Sequence, residues 1–134
     1  MARSEHLPIY KGAYDLCLYL EQVVRGFSRD HRYGIGKDMR EAARRVLRLV
    51  VRANAQGDKR RALLALREEL EELKVLVRLG HDVKAFASFN SFEHATSRVV
   101  EIAKQNEGWL RSQGGGHGRN RRGDAGRLAP PSAP

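Results

Sequence analysis

Apolar residues return along this chain at alternating steps of three and four, the spacing that keeps one helical face turned toward a core. Ile9, Ala13, Leu16, Leu20, Val23 and Phe27 form the first such seam and predict a helix from Pro8 to about Gly26. Pro8 suits its opening turn, where a missing N–H leaves no hydrogen bond unmade. Met39, Ala42, Ala43, Val46, Val50 and Ala53 mark a second helix over about 36–55. Leu63, Leu66, Leu70, Leu73 and Val77 mark a third over about 58–79. Phe92, Ala95, Val99, Ile102 and Ala103 mark a fourth that fades around Asn106 to Leu110. The chain therefore reads as all-α, its helices packed as a bundle.

The breaks in this pattern carry turn chemistry. Gly26 to Gly36 reads as a loop with one turn of helix, and Tyr33 within it is expected to plug the end of the bundle. Gly57 suits a helix C-terminus, and Asp58 suits the N-cap of the next helix. Gly80 and the polar cluster after it break the third helix, and Asn90 or Ser91, with Asn90 and Glu93 as a capping box, starts the fourth. Phe86, Phe89 and Phe92 are expected to pack at the bundle end, while Trp109 is left open between closing the core and anchoring an interface. From Gln113 the chain is too rich in Gly and Pro to bury anything. Residues 1–112 are thus expected to form the bundle domain, and 113–134 a disordered basic tail in which Arg119, Arg121, Arg122 and Arg127 make a cationic arm.

Four apolar residues fall outside the seams. Leu18 lies among Lys11, Asp15, Gln22 and Arg25, and Leu64, Val75 and Leu79 project from the far side of the third helix. A helix that is apolar on two sides has two neighbours, so these four are assigned to an oligomer interface.

Charge changes the picture further. The formal net charge is +9, and from Lys37 to Arg61 nine Lys or Arg stand against three Asp or Glu. Lys37, Arg40, Arg44, Arg48 and Arg52 share one side of the second helix, the four arginines forming a ladder about 18 Å long at 1.5 Å per residue. Lys59, Arg60 and Arg61 follow at the start of the third helix, where the helix dipole disfavours cations. Such charge favours a polyanionic partner. Arg29, Arg32, Lys37, Arg40, Arg44, Arg45, Arg48, Arg52, Lys59, Arg60 and Arg61 are therefore the expected nucleic-acid or partner-binding residues. The surface is suited to nucleic-acid backbone and poorly suited to reading bases on its own.

No enzyme constellation accompanies this charge. The five histidines show no metal-ligand spacing, there is no phosphate-cradling glycine loop, and Cys17 reads as a structural thiol on the flank of the first seam. The expectation is a non-catalytic protein without metal or cofactor. The opening residues lack the apolar run of a signal peptide, and no stretch approaches the roughly 18 apolar residues of a membrane span. With a single cysteine as well, a cytoplasmic location and no membrane contact are expected.

The words LPIYKGAYDLCLYLEQVVRGFSRDHRYGIGKDMREAARRVLRLVVRAN, DKRRALLALREELEELKVLVRL and VKAFASFNSFEHA, over about Leu7 to Ala103, resemble the accessory variability determinant proteins of diversity-generating retroelements. These stand within a wider four-helix-bundle family that includes proteins encoded by intervening sequences of bacterial 23S ribosomal RNA. The resemblance implies an up-down four-helix bundle assembled as a homopentameric barrel. It also implies binding to the element's reverse transcriptase and template-repeat RNA in support of mutagenic retrohoming, with matching basic positions at Arg29, Arg32, Arg40, Arg44, Arg48 and Arg52. Two alternatives remain at this point, a ribosome-associated bundle and a protein-only oligomeric adaptor whose cations meet Glu68 to Glu72 of a neighbour.

Overall fold

The computed structural model describes residues 7–118, with side chains through Gln113. Its helices are α1 (Pro8–Arg25), α2 (Arg29–Tyr33), α3 (Ile35–Ala55), α4 (Arg60–Asp82) and α5 (Phe89–Gly118), and no strand occurs among the described residues. The four long helices form the bundle, and α2 is the single expected turn of helix in the first connection. Helix α3 packs against α1 and α4, and α5 packs against the same two. Helices α1 and α4 therefore occupy diagonal corners.

The predicted seams form most of the core, except that α1 buries Val24 where Val23 was expected, and Val23, Phe92 and Ala103 are half-buried against it. Leu16, Leu20, Met39, Val46, Val50, Leu63, Leu66, Leu70, Leu73, Val77, Val99 and Ile102 are all essentially inaccessible to solvent. Trp109 is half-buried and packs on this cluster, which places it with the core. Asn106, expected near a fading helix end, is fully buried instead, its Nδ2 donating to the Leu63 carbonyl at 3.2 Å. Helix α5 then runs on through Gly118. The buried repeat stops at Leu110, so a pattern that reports burial is blind to the further turns. Arg119, Arg121, Arg122 and Arg127 lie outside the described residues.

Several boundaries differ from those expected, each for a local reason. Gly80 does not break α4 but lies buried inside it, where an added Cβ would collide with Met39 Cε. The helix closes later, around Lys84, whose φ of 62° puts a lysine in the left-handed region. The Ala85 N–H donates to the Gly80 carbonyl at 2.8 Å and the Lys84 N–H to the His81 carbonyl at 3.0 Å, the paired bonds of a Schellman ending. A left-handed conformation costs a residue with a Cβ about 1–2 kcal/mol that glycine does not incur. Glycine's freer unfolded chain offsets part of that difference. Lys84→Gly is thus expected to stabilise the fold by roughly 0.5–1 kcal/mol in urea unfolding.

Helix α3 ends on an extended Gln56 and not on Gly57. The N-cap of α4 is Lys59, though Asp58 still serves the helix start by accepting from the Arg60 N–H at 3.2 Å. Helix α5 is capped by Ser88, not by Asn90 or Ser91. The Ser91 N–H donates to Ser88 Oγ at 3.1 Å, and Ser91 Oγ donates back to the Ser88 carbonyl at 2.8 Å.

One ion pair joins α4 to α5. Arg67 donates from Nε and Nη2 to the two oxygens of Glu107, both at 2.8 Å. The hydrogen bonds from Arg67 hold the Glu107 carboxyl below its ordinary range, with partial burial opposing the effect. The folded state therefore binds the ionised form preferentially, and the contribution is complete above the unfolded pKa of about 4.3. It is lost as pH falls through the lower folded value. The pair is partly exposed, so Glu107→Gln is expected to cost at most about 1 kcal/mol at pH 7. Unfolding titrations of both proteins should show that gap closing below about pH 4.

Candidate nucleic-acid interface

The face of α3 opposite its buried residues carries the arginine ladder, as the 3.6-residue period requires. Packing divides the ladder into two kinds of cation. Toward α1, Arg40 Nη1 and Arg44 Nη2 both donate to the Glu21 carboxylate, one to each oxygen. Toward α4, Arg45 Nε donates to Glu69 Oε2 at 3.0 Å. Lys37 pairs within its own helix with Glu41 at 3.5 Å. These four cations are held by the bundle's own carboxylates.

Arg48 and Arg52 are different: both are exposed, and no carboxylate among the described residues pairs with either. The same holds for Arg60 and Arg61 at the start of α4. Lys59 does not join them. Its ammonium donates to the carbonyls of Gln56, Ala53 and Asn54, at 2.8, 3.2 and 3.4 Å, so it satisfies the open end of α3. Of the marked cations on α3 and at the start of α4, the four without a carboxylate or carbonyl partner among the described residues, Arg48, Arg52, Arg60 and Arg61, thus lie around the α3–α4 turn. Charge counting along the chain gave no sign of this division, because the neutralising partners Glu21 and Glu69 lie on other helices.

A second basic group lies at the opposite end of α3. Arg29 and Arg32 sit on α2, which Ser28 caps by accepting from the His31 N–H and which buries none of its residues. Tyr33 does not plug the bundle end. Phe27 and Phe86 fill that space with ring centroids 5.3 Å apart, and Tyr33 remains 64% exposed. Of the three phenylalanines assigned to that end, Phe86 and Phe92 are half-buried while Phe89 is exposed.

Among the expected interface residues, Leu18 is 55% exposed, Val75 61% and Leu79 47%. Leu64 is a correction: it is half-buried and packs on its own core. Leu18 belongs to α1 and Val75 and Leu79 to α4, so the two apolar surfaces point to opposite sides of the bundle. Lys11, Asp15 and Arg25 flank the first, net positive, and Glu68, Glu72 and Arg78 flank the second, net negative, Asp15 alone being half-buried among them.

Cys17 is half-buried between α1 and its neighbours. Burial, countered in part by Arg44, pushes its thiol up to about 11, so it stays protonated near neutral pH. Among the described residues no group of three His, Cys, Asp or Glu could hold a metal ion, and no helix is long and apolar enough to cross a membrane.

A family model described as bAvd-like matches residues 7–113, which spans α1 to α4, all but the last residues of α5, and both basic groups. No curated protein matches the chain.

Proposed function

The chain belongs to the bAvd-like family and is of the accessory variability determinant type, and from that premise we propose a non-catalytic accessory protein of a diversity-generating retroelement. It binds the element's reverse transcriptase and its template-repeat RNA or cDNA through the basic surface, in support of mutagenic retrohoming. The observation that carries the reading is the cluster of Arg48, Arg52, Arg60 and Arg61, four exposed guanidinium groups left without carboxylate partners beside helices whose other cations are neutralised. Guanidinium forks suit phosphate oxygens, and a surface of this kind grips backbone without reading sequence.

The protein assembles as a homopentameric barrel. Supporting this are two exposed apolar surfaces on diagonal helices with opposite charge around them. Pairing either surface with its own copy sets like charges face to face, whereas pairing α1 of one protomer with α4 of the next sets Lys11 and Arg25 against Glu68 and Glu72. A head-to-tail contact closes into a ring when the rotation between successive protomers closes, and the proposed barrel is the case in which five of them do so.

The test is a titration of the protein with template-repeat RNA at several salt concentrations. Log affinity should fall linearly with log salt, with a slope reflecting several phosphates. The acidic face of α4 favours one competing reading, in which the free arginines meet a neighbour's glutamates and nothing else. In that case oligomer mass falls with salt and RNA does not compete.

A further inference from the structure

The exposed ring at the α2 end has no structural use in the bundle. Tyr33 is the last residue of a one-turn helix that buries nothing, and Phe27 and Phe86 already close the core beneath it. The backbone that carries the ring is nonetheless closely packed. Gly36, two residues into α3, is packed so closely that an added Cβ would lie 2.6 Å from Val24 Cγ1 and 3.0 Å from the His31 carbonyl. This contact seats α2 against α1 and α3, and it leaves Tyr33 facing outward. The guanidinium carbons of Arg29 and Arg32 lie 5.8 and 5.6 Å from the ring centroid. Both lie over the ring within cation–π reach, close to its outer limit, so a base gains the ring face as these flexible, solvent-facing side chains swing from it toward the phosphates.

We propose that Tyr33 is a stacking platform for an unpaired base of single-stranded RNA, with Arg29 and Arg32 holding the phosphates on either side of that base. The proposal rests on the nucleic-acid reading above and adds to it a preference for single strands. A base inside a duplex is already stacked on both faces and cannot reach a side chain, whereas an unpaired base can lie on an aromatic ring. Two guanidinium groups within one helical turn supply the phosphate contacts that such a base brings with it. The free arginines at the α3–α4 turn have no aromatic partner and bind either form through its backbone.

The experiment compares the full-length protein with Tyr33→Ala and Tyr33→Phe, each titrated with an unstructured RNA containing 2-aminopurine and with the duplex of the same sequence. Because Tyr33 is largely exposed and makes no core contact, both variants should fold. Tyr33→Ala is expected to bind the single strand about tenfold more weakly, within the range for loss of one base–aromatic stack. Its duplex affinity should be unchanged, and the 2-aminopurine quench seen with the wild type should diminish. Tyr33→Phe should retain both the affinity and the quench, since it keeps the ring. If Tyr33→Ala binds the single strand as the wild type does, or loses duplex affinity equally, the stacking role is wrong while RNA binding stands. If the wild type binds neither RNA, the nucleic-acid reading falls and the platform falls with it.

Discussion

Replacing Arg48 and Arg52 together by glutamate is expected to weaken RNA binding about a hundredfold near 0.1 M salt, on the order of 1.4 kcal/mol for each reversed charge. The same change should lower the salt slope by roughly 0.7 for each phosphate of a single strand that is no longer neutralised. Circular dichroism should stay helical, because neither side chain has an intramolecular carboxylate partner to lose and a glutamate in the last turns of α3 costs only about 0.3–1 kcal/mol against the helix dipole. Arg44→Gln is the informative contrast. It removes one of the two donors to Glu21, so its effect should appear in unfolding free energy and only weakly in RNA affinity. Equal RNA binding by wild type and the Arg48/Arg52 variant would remove the α3–α4 turn from the interface.

The second large effect concerns assembly. Leu18→Arg should damage the α1 surface and Val75→Arg the α4 surface, and each alone should prevent ring closure, because a ring requires both surfaces on every protomer. A charge placed at the centre of an apolar contact leaves that charge buried without a partner, at a cost of several kcal/mol. Mixing the two variants distinguishes the head-to-tail arrangement from any two-fold one. The intact α1 surface of the Val75→Arg protein can meet the intact α4 surface of the Leu18→Arg protein once, giving a dimer that cannot grow. Native mass spectrometry or light scattering should show that dimer only in the mixture. Dimers formed by either variant alone would instead indicate a surface pairing with itself, and a monomeric wild type would refute the assembly outright.

Much of this architecture was legible in the spacing of apolar residues, since burial imposes the helical period on the sequence directly. Leu63, Leu66, Leu70, Leu73 and Val77 are buried for the same reason that they repeat. The arginine ladder was legible in the same way, as the complement of the α3 seam. What periodicity does not encode is the rotation of one helix against the next. That rotation decides that Glu21 faces Arg40 and Arg44, and that Glu69 faces Arg45. The turns were the least legible parts, because their geometry depends on a few dihedral angles. Lys59 folds back onto carbonyls that an extended chain would leave elsewhere, and Lys84 adopts the backbone region in which a glycine was to be expected. Tyr33 was misplaced because its aromatic character suggested burial, while the space it was assigned to was already filled by Phe27 and Phe86.

Helix α3 itself has a consequence for any strand that lies along it. Tyr33 stands just before its first turn and Arg52 in its last, about 30 Å apart at 1.5 Å per residue. A single unbroken rod, buried along one side, fixes that interval, and neither end can approach the other to suit a shorter ligand. With the proposed contacts at both ends, the rod would act as a gauge: a strand too short to bridge it would occupy one end, and only a longer one would gain from both through the high local concentration of the second site.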